Sequence, residues 1–186
     1  EEIGNGGLSG APLHNKNLEL VRYIHEKSAG MLPIIGVGGI MSPAQAKAML
    51  DAEGYTCVLR RGTFSYVSKE RGITPLLQWL DTGMNFKEAA AADKVIGKAA
   101  AYLYVLLGVS DIYAYVISQP ALDVLNRYGI RVQYETLVPA VRNRTDTGFC
   151  PMETAVLPVD EPEQALEILR AKRAELQKQM KTDKSR

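Results

Sequence analysis

A short apolar run that ends in paired glycines is the feature that most constrains how this chain can fold. Residues 33–40 read Pro-Ile-Ile-Gly-Val-Gly-Gly-Ile. A run of this length without charge is typical of a parallel strand that is buried on both faces. Glycines at its carboxyl end let backbone N–H groups approach a phosphate, because no Cβ stands in the way. The pattern therefore predicts a helix–strand step of a (β/α)₈ barrel, in which ligands bind at the carboxyl ends of the strands.

Two segments, this run and a glycine-rich stretch before it, resemble a known enzyme family. Residues 6–13 read GGLSGAPL and residues 33–40 read PIIGVGGI, and together they resemble the C-terminal part of the dihydroorotate dehydrogenase family, flavin enzymes of pyrimidine synthesis. The resemblance implies FMN as the cofactor of the parent enzyme, which oxidises dihydroorotate to orotate. It implies flavin-site roles, in binding the phosphate or lining the flavin, for Gly10, Leu13, Val37, Gly38 and Gly39.

This resemblance extends over about residues 1–52 and omits most of the barrel, including the catalytic base. One strand with its helix cannot bury enough surface to be stable, and half of a phosphate cup cannot hold FMN. We therefore expect a barrel fragment over residues 1–42 that is not by itself a competent dehydrogenase. The corresponding hypothesis for the parent protein is a dihydroorotate dehydrogenase that carries this chain as its tail.

Composition narrows the class of protein further. The chain has 186 residues, of which 46% are hydrophobic, and a net charge of +1. The apolar content is enough to form a hydrophobic core. The net charge is too small to attract nucleic acid or a membrane surface through a general positive potential. Cys57 and Cys150 are the only cysteines, which favours a reducing, cytoplasmic compartment. The longest apolar stretch, residues 99–109, is too short to span a bilayer.

The chain after residue 42 predicts a second unit, an α/β domain over residues 43–180 followed by a frayed tail over 181–186. Ser42 and Pro43 predict the start of a helix, and a hairpin is predicted around Arg61 and Gly62. The remaining patterns predict helices at 73–82, 88–107, 120–128 and 161–180, with strands at 111–117, 131–141 and 154–158. This order of elements predicts a three-layer domain with the sheet in the middle.

Four segments of this second unit carry another resemblance. Residues 55–59, 68–72, 92–99 and 143–154 resemble a bacterial domain family with a cytidine-deaminase-like fold, over about residues 43–170. The implied architecture is a partial (β/α)₈-barrel fragment followed by a three-layer α/β/α cytidine-deaminase-like domain. Both families have a helix–strand step near residues 43–61, so the junction is expected inside that shared element.

The residues do not support deaminase chemistry. A nucleobase deaminase needs zinc ligands and a proton-shuttling Glu in the pattern H-x-E followed by P-C-x-x-C. The only histidines are His14 and His25, and the positions matching the two motifs read Ala-Asp-Lys at residues 92–94 and Ser-Gln-Pro-Ala at residues 118–121. We therefore expect no metal site, and a pocket that binds a small anionic ligand through fixed charge.

The charged residues near the start of the predicted helix 88–107 are the first candidates for that pocket. Asp93 suits a helix N-terminus. Lys94 and Lys98 are four residues apart, so on a helix they would share a face and hold an anion between them. Ser118 is a further candidate ligand residue. The alternative is that Asp93 caps the helix and that both lysines are solvated.

A second group of candidates lies near residue 150. Cys150 precedes a proline that can open a helical turn, a setting that lowers the pKa of a thiol. Glu153 lies one turn further on as a candidate base, and with Asp93 the three residues define an enzymatic alternative that acts on a small substrate. The other interpretation is a buried, unreactive Cys150 and a Glu153 that takes part in a helix cap.

The polar loop before Cys150 is the last candidate. Loops of this kind often present ligand contacts, and Asn143, Arg144 and Thr145 are the residues expected to make them, with Arg144 able to form a fork onto phosphate or carboxylate. An ordinary Asx turn is the alternative. A nucleotide or a pyrimidine intermediate would suit the neighbouring dehydrogenase-like segment, by association only.

Overall fold

The structure is a computed structural model that describes residues 43–61, 64–84, 86–143 and 147–184. The predicted barrel fragment, with its helix at 18–27 and its strand at 33–37, lies outside the described residues. So do the candidate flavin-site residues Gly10, Leu13, Val37, Gly38 and Gly39.

Eleven helices and strands make up the described part of the chain. In order, they are α1 (Pro43–Glu53), β1 (Cys57–Arg61), β2 (Phe64–Ser68), α2 (Thr74–Asp81), β3 (Ala90–Ile96), α3 (Lys98–Leu107), β4 (Asp111–Ser118), α4 (Gln119–Arg127), β5 (Arg131–Val138), α5 (Pro151–Val156) and α6 (Pro162–Lys184).

The five strands form one mixed sheet in the order β2-β1-β3-β4-β5. The β1–β2 hairpin is antiparallel, and β1 also pairs antiparallel with β3, where Cys57 is the partner of Asp93. From β3 onward the sheet is parallel, with Asp93 beside Ala114. The centre of the sheet is therefore the place where antiparallel pairing changes to parallel pairing.

Helices cover both faces of the sheet. On one face, α1 packs Ala46 and Leu50 against Val58, Ala92 and Tyr113. On the other face lies the larger core, to which α3 contributes Tyr102, Leu103 and Tyr104 as fully buried side chains. The remaining helices pack around α3, so the domain has the predicted helix–sheet–helix layering.

Most of the predicted elements are present. The hairpin forms with β1 and β2, and the helices predicted at 73–82, 120–128 and 161–180 correspond to α2, α4 and α6. The strands predicted at 111–117 and 131–141 correspond to β4 and β5. Helix α6 continues to Lys184 and so includes part of the segment expected to be a frayed tail.

The predicted helix at 88–107 is wrong in its first half. Residues 90–96 form the central strand β3, and the helix begins only at Lys98 after the extended Gly97. Alanine has a high intrinsic helix propensity, but pairing with β1 on one side and β4 on the other outweighs that preference. Alanines also suit this strand because both of its faces are covered closely by helices.

The strand predicted at 154–158 is also wrong, because residues 151–156 form the short helix α5. Pro151 lies in the first turn of that helix, a position that a proline favours since its missing N–H has no helical partner there.

Within the described part of the chain, no helix combines the length and the apolar composition that crossing a bilayer requires.

Candidate functional site

A cavity of about 810 Å³ borders the carboxyl end of the central strand β3. Its wall is formed by Asp93, Lys94 and Val95 from β3 and by Ala99 and Ala100 from the first turn of α3. The start of β1, the turn before α2, the segment before α5, the start of α5 and the side chains of Leu176 and Gln179 complete the lining. Ligands of α/β proteins commonly bind at this end of a parallel sheet.

Asp93 is the buried acidic group of the cavity wall. Its side chain is 9% exposed, and its carboxylate accepts hydrogen bonds from the Val95 N–H at 3.0 Å and from the Tyr104 hydroxyl at 2.8 Å. Burial raises the pKa of Asp93 to about 6, against these donors, which lower it. Hydrogen bonds from the Cys57 thiol and the Lys94 N–H also lower this pKa, but at Asp93 the desolvation caused by burial is the largest effect and outweighs all four donors.

Tyr104 and Cys57 form the inner side of the Asp93 site. The Tyr104 hydroxyl and the Cys57 Sγ are 3.1 Å apart. Burial is the main reason that the pKa of each group is well above its ordinary value, and the neighbouring Asp93 carboxylate raises both further. Cys57 is therefore held as a neutral thiol within the core.

Glu153 is the second buried carboxylate of the wall, and it holds four segments together. Its Oε1 accepts from the Lys98 N–H at 3.1 Å and from the Ser118 hydroxyl, and its Oε2 accepts from the Val141 N–H at 2.7 Å. The Lys98 N–H is one of the first amides of α3, so Glu153 supplies the acceptor that this helix end lacks. The prediction that Asp93 caps this helix is therefore wrong.

Gly97 lies directly against this carboxylate. A Cβ at Gly97 would lie 3.2 Å from Glu153 Cδ and 3.2 Å from the Val141 side chain. The absence of a side chain lets Glu153 reach the start of α3. Ser118 is fully buried; it caps α4 by accepting from the Ala121 N–H and does not line the cavity.

The predicted pairing of Lys94 with Lys98 across a helix face is wrong. Lys94 is an exposed residue of β3 at the cavity. Lys98 is 8% exposed, and its Nζ donates to the Leu157 carbonyl at 2.6 Å. Because the two residues belong to a strand and a helix, the i, i+4 geometry of the prediction does not exist.

The structure brings Cys150, Glu153 and Asp93 to the lining of the same cavity. Cys150 is half-buried and stands just before the first turn of α5. Among the hydrogen bonds of the described residues, however, none joins any two of these three side chains. The oxygens of Glu153 are already occupied by three donors, so its contacts are those of a structural carboxylate rather than of a base aimed at Cys150.

The loop before Cys150 contributes one of its three predicted ligand residues within the described part of the chain. Asn143 lines the cavity, and its side-chain Oδ1 accepts a hydrogen bond from the Thr147 N–H, four residues further on, at 3.0 Å. Arg144 and Thr145 lie outside the described residues.

Two exposed cationic residues of the lining were missed by the sequence reasoning. Arg71 comes from the turn between β2 and α2, and Arg142 from the segment after β5. Arg71 lies in the segment 68–72 that carries the family resemblance, but that resemblance implied no role for it, and Arg142 lies just before the segment 143–154. Among the described residues, no three His, Cys, Asp or Glu side chains are grouped closely enough to hold a metal ion.

These observations define an α/β domain with a cavity beside the carboxyl end of its central strand. The chain belongs to the family described as domain of unknown function DUF1893, whose model matches residues 45–172. A crystal structure of a DUF1893 family protein from Thermotoga maritima is similar to it, with 29% sequence identity and a TM-score of 0.65. The similarity covers 69% of this chain and 88% of that one.

The first part of the chain is similar to another family. A dihydroorotate dehydrogenase model matches residues 1–75. The dihydroorotate dehydrogenase (quinone) of Synechococcus sp. strain JA-3-3Ab is 53% identical over 47 residues, which is 25% of this chain and 12% of that enzyme. The Corynebacterium striatum enzyme is 32% identical over 102 residues, or 47% of this chain and 28% of that enzyme. The chain thus spans only a small part of these relatives, and a dehydrogenase-like segment is joined to a DUF1893 domain.

Proposed function

We propose that the DUF1893 domain of this chain is a binding module for a small anionic ligand, on a cytidine-deaminase-like scaffold that works without a metal. The observation that carries the proposal is the cavity of about 810 Å³ with cationic side chains in its lining. A volume of this size suits a small-molecule ligand.

The chemistry of the wall supports an anion with an apolar body. Exposed Arg71 and Lys94 and the nearby Arg142 provide positive charge. Much of the remaining wall is apolar, from side chains such as Ile73, Met152 and Leu176. A ligand that places a carboxylate or phosphate among the cations and a ring against the apolar wall would use both kinds of surface.

We favour binding over catalysis because the candidate catalytic carboxylates are already hydrogen-bonded within the protein. The enzymatic alternative pairs Cys150 with Glu153 or Asp93 as a general base, and that base would have to lie within hydrogen-bond reach of the thiol. Glu153 has its carboxylate oxygens occupied by backbone amides and the Ser118 hydroxyl. Asp93 is engaged with Tyr104 and Val95.

The parent protein is proposed to be a dihydroorotate dehydrogenase, with FMN as its cofactor, and the DUF1893 domain is proposed to sense a nucleotide or a pyrimidine intermediate for it. The dehydrogenase-like segment at residues 1–75 supports the association. Titration of this chain with FMN, followed by flavin fluorescence, tests whether the segment alone keeps the cofactor. Quenching at micromolar protein would contradict the expectation that it does not.

Isothermal titration of the chain with orotate, uridine monophosphate and inorganic phosphate tests the binding proposal. At least one anion is expected to bind with a dissociation constant of about a millimolar or tighter. Val95→Trp should abolish that binding, because Val95 lines the cavity and is 45% exposed. Leu137→Trp is the matched control, since Leu137 is 41% exposed on β5 and does not line the cavity. No binding of any of these anions, or equal binding by both variants, would overturn the proposal.

A charge-removal pair tests the role of the cations. Lys94→Ala should weaken binding by about tenfold, the effect of one charge-assisted contact at a partly exposed site. Lys172→Ala is the control, because Lys172 pairs with Glu175 on α6 and does not line the cavity. Equal affinities of the two variants would remove Lys94 from the site.

A further inference from the structure

Strand β5 forms one edge of the sheet. Among the described strands it pairs with β4 alone. Six of its eight residues have exposed side chains, and none is buried. Tyr134 and Leu137 are 43% and 41% exposed, although both have large hydrophobic side chains. The strand therefore presents apolar surface and an open backbone edge to the solvent.

The pairing with β4 fixes which backbone groups of β5 point outward. The Arg131 N–H donates to the Ser110 carbonyl at 3.0 Å, so the backbone groups of Arg131 point toward β4. Successive residues of a strand point their N–H and C=O groups to opposite edges. The outward groups therefore belong to Val132, Tyr134, Thr136 and Val138. The described residues give these outward groups no hydrogen-bond partner, so they are free to pair with another strand.

Strand β5 lacks the features that usually protect an edge strand from pairing. Such edges commonly carry prolines, lysines or bulges, and β5 contains no proline, lysine or glycine. Its two charged side chains are already paired within the chain, since Arg131 contacts Asp111 at 2.6 Å and Glu135 contacts Lys47 at 2.7 Å. Another strand can therefore approach this edge without meeting an unpaired charge.

We propose that this chain forms a symmetric dimer in which β5 pairs antiparallel with β5 of a second copy. The two five-stranded sheets then become one continuous sheet. The twofold axis is perpendicular to the sheet and passes through the pair formed by Tyr134 and its copy. The outward backbone groups of one strand meet the outward groups of the other in this arrangement. The inference concerns assembly and is independent of the proposed binding function.

The side chains of β5 are compatible with themselves in this register. An axis perpendicular to the sheet gives both copies the same side, so residues that lie opposite one another have side chains on one side of the sheet. With the axis at Tyr134, Thr136 lies opposite Val132 of the second copy, and Glu135 lies opposite Gln133. The Gln133 amide can donate to the Glu135 carboxylate, and no like charges face each other across the strands.

The neighbouring registers are less favourable. With the axis at Glu135, the two copies of this carboxylate would lie directly opposite and repel each other. With the axis at Gln133, Arg131 would face Glu135, but both charges already have partners. That register would also shorten the ladder to residues 131–135, whereas the axis at Tyr134 pairs residues 131–137. The strand therefore fits a second copy of itself best about Tyr134.

Sedimentation velocity of the full 186-residue chain tests the dimer. Between about 5 and 200 μM, the chain should associate with a dissociation constant of about 100 μM or tighter. Thr136→Pro removes an outward N–H and no bond to β4, so it should weaken association at least about tenfold. Thr136→Val keeps that N–H and is the matched control. A chain that is monomeric over this range, whether another part of the chain covers the edge or a different protein binds it, would overturn the proposal. So would equal association of the two variants.

Cross-linking tests the register and does not require Thr136→Pro to fold. In a Cys150→Ser background, Tyr134→Cys places two thiols at opposite positions, with Cα atoms about 5.5 Å apart, which is within the range of a disulfide. Leu137→Cys is the matched control, because Leu137 is almost equally exposed but its two copies would lie about 20 Å apart along the strands. Under copper phenanthroline, Tyr134→Cys should form the covalent dimer at least about tenfold faster. Equal rates, or faster cross-linking of Leu137→Cys, would overturn the pairing about Tyr134 and the proposal with it.

Discussion

The hydroxyl of Tyr104 in α3 donates a 2.8 Å hydrogen bond to the carboxylate of Asp93 in β3. The contact joins the central strand of the sheet to the most buried helix of the domain. Tyr104 is fully buried, whereas Asp93 borders the cavity. A polar group of the candidate site is therefore positioned directly by the core, so changes at the site are expected to affect stability as well as binding.

The first prediction concerns the dependence of stability on pH. The pKa of Asp93 is raised to about 6 in the folded chain, so the folded chain favours the protonated carboxyl group. The contribution of this group to the free energy of unfolding is therefore fully present below about pH 4 and is lost as the pH rises through about 6. The free energy of unfolding of the wild type minus that of Asp93→Asn should fall by roughly 2–3 kcal/mol across this window. Urea denaturation at several pH values measures it.

Asp123→Asn, at an exposed aspartate of α4, controls for the loss of one carboxyl group. A wild-type minus Asp93→Asn difference that stays flat with pH, or that rises, would contradict the burial effect at Asp93.

The second prediction concerns Gly97. Gly97→Ala places a Cβ 3.2 Å from Glu153 and from Val141, and Glu153 is held by three donors, so it cannot move without losing them. We expect a loss of about 1–3 kcal/mol in the free energy of unfolding. Gly148→Ala is the matched control, because its Cβ would meet only the Asn143 side chain at an ordinary 3.7 Å. Thermal or chemical denaturation of both variants gives the comparison, and equal stabilities would show that the site relaxes.

The third prediction treats Glu153 and Ser118 as a coupled pair. Glu153→Gln replaces one acceptor oxygen with an N–H₂ group that faces a donor, which should cost about 1–3 kcal/mol of stability. Ser118→Ala removes one donor to the same carboxylate and the cap of α4. In a double-mutant cycle, the two effects should fail to add by at least about 0.5 kcal/mol. Additive effects would mean that the hydroxyl and the carboxylate act independently.

The fourth prediction concerns thiol reactivity. Cys57 is buried, and its pKa is raised well above the ordinary value, whereas Cys150 is half-buried and lines the cavity. Iodoacetamide should therefore modify Cys150 first in the native chain, since the thiolate is the reactive form and needs access. Peptide mass spectrometry assigns the site, and Cys150→Ser should remove the fast phase. Faster labelling of Cys57 would contradict the core packing around Tyr104.

The sequence was sufficient for elements whose pattern and context agree. The β1–β2 hairpin, the helix α4 after Ser118 and the long helix α6 all follow their local patterns. It was not sufficient at residues 88–96, where an alanine-rich helical composition occupies the middle of the sheet. Whether Ala91 and Ala92 form a strand is decided by β1 and β4, which are distant in sequence, and local propensity does not contain that information.

The sequence predicted which residues belong to the candidate site better than it predicted what each residue does there. Asp93, Lys94, Asn143, Cys150 and Glu153 were named from the sequence, and all of them line one cavity. A helix-cap role was one of the two interpretations of Glu153, but the sequence did not show which helix it caps, because the Lys98 N–H that it accepts from lies 55 residues earlier. Lys98 was misassigned for a related reason: a lysine four residues after another implies a shared face only if both belong to one helix.

Lys94 and Val95 are neighbours on the central strand, yet both side chains are exposed at the cavity, while Asp93 before them and Ile96 after them are buried. The strand thus offers two adjacent positions that can be exchanged without repacking the interior. Substitutions at this pair would therefore change the charge and shape of the cavity wall and leave the buried Asp93 and Ile96 unchanged.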